Sequence, residues 1–172
     1  MTDQIDYLLN IVRRIRKYAS FWEWPNKAVK ELGVVKDLLT SMTREGVNRY
    51  TNPRSVEDDW PDCAAEDEQG QLIAIEVTEL VDEEAIQRSQ RGQPVYRRWE
   101  DRDILNAVHN ILLRKDQKSC HGSLYGRVIL VIHTDEPELN ARRLFPLIRS
   151  VRFPHLNNIK EAYIICSYDP FT

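Results

Sequence analysis

The chain has 172 residues, is 42% hydrophobic and 30% charged, and carries a formal net charge of −3. That length suits one domain with a core large enough to need no covalent staples, and the composition excludes long disorder. No apolar run approaches the roughly 20 residues of a membrane span, and the opening MTDQIDYLLNIVRRIRK lacks the basic-then-apolar order of a secretory signal.

Residues 4–19 repeat apolar side chains at Ile5, Leu8, Leu9, Val12 and Ile15, the spacing of a helix. This predicts an N-terminal helical extension over 1–24, ahead of a core spanning 25–172 within a single domain 1–172. Pro25 suits the start of a second helix, expected from about Asn26 to Met42 with a stripe of Ala28, Leu32, Val35, Leu39 and Met42. Gly46 and NRYTNPRSVEDD read as a connection. A hairpin follows, with Cys63-Ala64-Ala65 in one arm, a turn at Gly70, and Leu72 to Thr78 in the other. Residues 82–96 read as a loop or short helix. A long helix is expected from about Arg98 to Lys118, then a loop with Gly122 and Gly126. Val128 to Ile132 is continuously apolar and reads as a central strand covered on both faces. Pro137 and Glu138 open a helix through about Ser150, and Ala162 to Cys166 reads as a last buried strand. The fold class is therefore α/β, a mixed central sheet flanked by helices.

The cysteines Cys63, Cys120 and Cys166 are odd in number and far apart, which speaks against disulfides and a zinc ribbon. His109, His121, His133 and His155 have no metal-binding spacing. Reduced thiols without a secretory signal imply the cytoplasm. The acidic balance is unlike that of proteins that live on nonspecific nucleic-acid binding. The basic residues are nevertheless clumped, for example Arg97, Arg98 and Arg102, or Arg114, Lys115 and Lys118.

Two carboxylates stand out in WPDCAAEDEQGQLIAIEVTEL. Side chains alternate along a strand, so Glu76 shares a face with Leu72, Ala74 and Thr78 in an otherwise apolar segment. A buried carboxylate costs several kcal/mol unless a cation or donors compensate. Asp62 begins the neighbouring arm. Together with the Val77 carbonyl, these oxygens suit Mg²⁺ or Mn²⁺, hard cations that take oxygen ligands. Structural alternatives are an arginine partner or a backbone cap for Glu76 and a solvated acidic hairpin around Asp62.

Pro61-Asp62, a gap, then Glu76-x-Thr78 after an apolar strand resembles the PD-(D/E)xK phosphodiesterases, the superfamily of many restriction-type endonucleases. The likeness covers roughly residues 27–134. It implies a restriction endonuclease-like α-β-β-α-β core, a Mg²⁺ or Mn²⁺ site at Asp62, Glu76 and Val77, and DNA or RNA as partner. The family's motif lysine, two residues after Glu76, is here Thr78, and some members supply that cation from the following helix. Lys115 falls on the buried stripe of Ile104, Val108 and Ile111 and is the candidate replacement, with Lys118 at the stripe's edge. The alternative is snorkelling at a helix end. Glu31, at the flank of its own helix stripe, matches an acid that the family often places near the metal; the alternative is an i,i+4 pair with Lys27. The catalytic candidates are thus Asp62, Glu76, Lys115 and Glu31, with the loop from Val81 to Arg98 expected to contact substrate. Trp99 and Tyr96 are assigned to packing, and His133, Thr134 and Asp135 to a strand end. The expected function is a metal-dependent nucleic-acid phosphodiesterase. The rivals are an inactive binding or regulatory module of the same fold and an immunity- or antitoxin-like protein that uses its acidic hairpin on a basic partner. Nothing in the sequence fixes whether two copies form a homodimer.

Overall fold

A computed structural model describes residues 26–58, 60–93, 98–119, 124–136 and 138–166. The helix expected over 4–19, together with Pro25 and Tyr96, lies outside the described residues. Helix α1, Lys27–Arg44, starts where the Asn26 side chain accepts the Val29 N–H at 3.2 Å. It is followed by strands β1 (Tyr50–Ser55), β2 (Cys63–Asp67) and β3 (Leu72–Glu79). Then come helix α2 (Glu83–Gln90), helix α3 (Asp101–Lys118), strand β4 (Arg127–Thr134), helix α4 (Ala141–Arg149) and strand β5 (Ile159–Cys166).

The five strands lie side by side in chain order. β1, β2 and β3 form an antiparallel meander, and β3, β4 and β5 run parallel. The β2–β3 turn is shaped by Asp67, whose carboxylate accepts the N–H groups of Gln69 and Gln71 at 3.0 and 2.9 Å. Gly70 there has φ 73°, a conformation that suits a residue without Cβ. The parallel half needs crossovers, and α3 and α4 provide them.

Alternation along the strands sorts the core onto the two faces of the sheet. Ala74, Val128, Leu130 and Ile132 pack with Ile104, Val108, Ile111 and Leu112 of α3 and Leu144 of α4. Ile73, Ile75, Val77, Ile129 and Val131 pack with Val34, Val35 and Leu38 of α1. Burying a side chain of this kind contributes about 1.5–3 kcal/mol. β4 is the central strand expected, buried from Val128 to Thr134.

Several boundaries differ from the sequence reading. The connection after Gly46 contains β1, an edge strand whose pairing shifts register between Thr51 and Arg54. Residues 82–96, read as a loop or short helix, carry the short helix α2. α4 opens at the Asn140 cap rather than at Pro137, because the Asn140 side chain takes the Arg143 N–H at 3.1 Å. β5 is longer than expected and only half buried, since it has a neighbour on one side alone. Among the described residues, no helix is long and apolar enough to cross a membrane.

Candidate functional site

The site is built where β2 stops alongside β3. Cys63 is the first residue of β2 and pairs with Ile75. In an antiparallel ladder the N–H and C=O of one residue face the same neighbour, so Val77 presents both groups to the place where β2 has already ended. Asp62 fills the vacated position: its Oδ2 accepts the Val77 N–H at 2.9 Å. The carboxylate thus stands in for the missing rung.

From the α1 face, Lys27 reaches the other oxygen. Its Nζ donates to Asp62 Oδ1 at 3.2 Å and lies 3.2 Å from Glu31 Oε1. Glu31 is buried on the helix stripe that continues through Val34, Val35 and Leu38. Burial, and then the neighbouring Asp62 charge, push its carboxyl up to about 7 against the opposing pull of Lys27. The same environment pushes the buried Cys63 thiol up to about 12, through burial first and then Glu31 and Asp62. Burial works against the charge on Lys27, but Asp62 and Glu31 outweigh it and hold its pKa above the usual value.

From the α3 face, Lys115 reaches Glu76. Its Nζ donates to Glu76 Oε2 at 2.7 Å and sits 3.5 Å from the Val77 carbonyl oxygen. Its side chain is only 19% exposed, so the amine is turned inward rather than snorkelling to water. Lys118 is exposed. Asp62 and Lys115 thus each reach the backbone of Val77, Glu76 pairs with Lys115, and Glu31 is tied to Asp62 through Lys27. The alternative i,i+4 pair of Glu31 with Lys27 also forms. The cation beside Glu76 is a lysine, not an arginine.

Among the described residues, no three His, Cys, Asp or Glu side chains close on a common point as a preformed metal cluster. The donors themselves suit a hard divalent cation: the Asp62 and Glu76 carboxylates and the Val77 carbonyl are all oxygens. Two carboxylate oxygens, from Asp62 and Glu31, already converge on one positive charge, the Lys27 ammonium.

Two acids of the hairpin are committed internally. Glu66 takes the Asn52 side-chain N–H at 2.9 Å and an Arg54 ion pair at 3.6 Å, and Asp67 pairs with Arg127 at 3.4 Å. In the segment expected to touch substrate, Arg88 is bonded to Glu84 within α2. Trp99 is buried in the core, as assigned. His133 and Thr134 are buried within β4.

Two features escaped the sequence reading. One is the Lys27–Asp62 contact. The other is Glu79 at the end of β3, whose carboxyl oxygens are buried with no hydrogen-bond partner among the described residues. Burial and then the Asp135 charge push Glu79 up to about 8. The signal for Glu79 was present in its position three residues beyond Glu76, on the Ile75–Val77 face. Comparison with family models, curated proteins and solved structures found no match to this chain.

Proposed function

We propose that the chain is a divalent-metal-dependent nucleic-acid phosphodiesterase of the PD-(D/E)xK type, built on a restriction endonuclease-like core. The observation that carries this reading is Lys115. An ammonium from the helix after the hairpin lies against Glu76 and the Val77 carbonyl, where the resemblance calls for a lysine and the sequence has Thr78. The element order supports it too: a helix, an antiparallel meander holding both acids, a crossover helix and a buried parallel strand.

In this reading Asp62, Glu76 and the Val77 carbonyl hold Mg²⁺ or Mn²⁺, with Glu31 assisting. The ion would polarise the phosphate and acidify a water for in-line attack at phosphorus. Lys115 stabilises the negative charge that grows on the phosphoryl oxygens. Asp62 stays oriented because the Val77 N–H fixes one of its oxygens. Family analogy gives a product with a 5′-phosphate, and DNA or RNA as substrate.

The test is cleavage of single- and double-stranded DNA and RNA with Mg²⁺ or Mn²⁺. Asp62→Asn, Glu76→Gln and Lys115→Met should each lower the rate by about 10²-fold or more, as loss of a charge-stabilising group does. Thr78 shares the Glu76 face, so Thr78→Lys in the Lys115→Met background should restore part of it. Cleavage that is indifferent to all three substitutions would sink the proposal.

A second reading is an inactive binding module of the same fold. It is favoured by the lysines already facing Asp62 and Glu76, at 3.2 and 2.7 Å. It predicts nucleic-acid or protein binding that Mg²⁺ leaves unchanged.

A further inference from the structure

We infer that Lys27 is a tethered counter-ion: its ammonium holds the Asp62–Glu31 half of the site closed and has to swing out when a divalent cation enters. The inference rests on the metal-dependent reading above and adds to it a residue that regulates metal occupancy.

The geometry separates Lys27 from its partners. The Asp62 and Glu31 side chains are 10% and 7% exposed, whereas that of Lys27 is 77% exposed. The carboxylates are held in place by their own elements: Asp62 by the Val77 N–H and Glu31 by the buried stripe of α1. The lysine has only a flexible stem and an open path to solvent. It alone of the three can leave without disturbing the fold.

Its place in the helix adds to the case. Lys27 is the first residue of α1, immediately after the Asn26 cap. The N-terminal end of a helix carries positive partial charge and disfavours a cation. What holds the ammonium there is the pair of acids, not the helix. The ammonium balances one negative charge, and a divalent ion can balance Asp62 together with an ionised Glu31. Exchange of a single positive charge for a double one is therefore favourable once the ion has shed enough water to bind.

This makes Lys27 a competitor of the metal. Its removal frees Asp62 Oδ1 and Glu31 Oε1 and lowers the cost of entry. Lys27→Met should bind Mn²⁺ about tenfold more tightly than the wild type, a difference of roughly 1.4 kcal/mol. Lys27→Arg, which keeps the charge, should stay near wild type. A merely structural role for Lys27 would not tighten a metal site.

The experiment is Mn²⁺ titration of the full chain by calorimetry and by the electron paramagnetic resonance signal of free Mn²⁺. Wild type, Lys27→Met, Lys27→Gln, Lys27→Arg and Asp62→Asn would be compared. Tighter binding by both neutral variants, lost again when Asp62→Asn is added, supports the inference. Binding that depends on Asp62 but is equal or weaker in both neutral variants overturns it and leaves the metal reading standing. Absence of Mn²⁺ binding in wild type and in both neutral variants overturns the metal reading, and the counter-ion role with it.

Discussion

Glu31, Glu76 and Lys115 were legible because each places a charge on or beside an apolar stripe, and Asp62 because it follows Pro61 at the start of the arm beside Glu76. A buried charge needs a partner, and the structure supplies Lys27 for Glu31 and Asp62 and pairs Lys115 with Glu76. Lys27 was legible only as a helix neighbour of Glu31. Its contact with Asp62 joins residues 35 apart in sequence, which no periodicity encodes. Glu79 was missed because it ends its strand, where a charge normally meets water. Its raised pKa has a measurable consequence. The folded protein holds a proton on Glu79 up to about pH 8, whereas the unfolded chain gives it up near pH 4.5. Stability from this group therefore falls as pH rises between those values. Glu79→Gln should raise Tm relative to wild type increasingly across that window and level off above it. A Tm difference between variant and wild type that is the same at pH 5 and pH 8.5 would refute the assignment.

At the scale of elements, the long helix, the hairpin and the central strand were readable from strong periodicity or continuous apolar runs. β1 was not. Its sequence YTNPRS contains Asn and Pro, poor strand formers, and only Tyr50 is buried. An edge strand needs pairing on one side alone, so it tolerates a proline that a central strand would reject. β5 begins where Asp116 of α3 fixes the chain. Its carboxylate accepts the N–H groups of Asn157, Asn158 and Ile159 at 3.0, 2.7 and 2.9 Å. Burial works against the charge, but these donors prevail and hold the Asp116 carboxyl below its usual pKa. Asp116→Ala would strand all three donors and should destabilise the fold by about 3 kcal/mol, read from urea unfolding. The contribution is present above the ordinary carboxylate pKa and is lost as pH falls through the lowered one. The difference between variant and wild type should therefore shrink in strong acid.

At the scale of the whole molecule, the described residues follow the reading of an α/β fold with a mixed sheet flanked by helices, because β3 is buried on both faces from Ile73 to Val77. The composition could not show that Asp62 and Lys115 both reach the backbone of one residue, Val77. If the site takes up a divalent ion, the ion binds the folded state and not the open chain. Mn²⁺ at a hundred times its Kd should then add about 2.7 kcal/mol of stability. In a domain of this size that raises Tm by roughly 5–10 °C. The rise should vanish in the Asp62→Asn, Glu76→Gln double variant.

Asp62 doing the work of a backbone rung means that its substitution carries two effects at once. Alanine there would leave the Val77 amide without its acceptor and loosen the margin of β3, so lost turnover in that variant would mix chemistry with unfastened backbone. Asparagine keeps an oxygen for the amide while removing the charge, and an ester in place of the amide at Val77 does the converse. Compared side by side, the two replacements assign one share of the Asp62 effect to its ionic role and the other to its service as a structural peg.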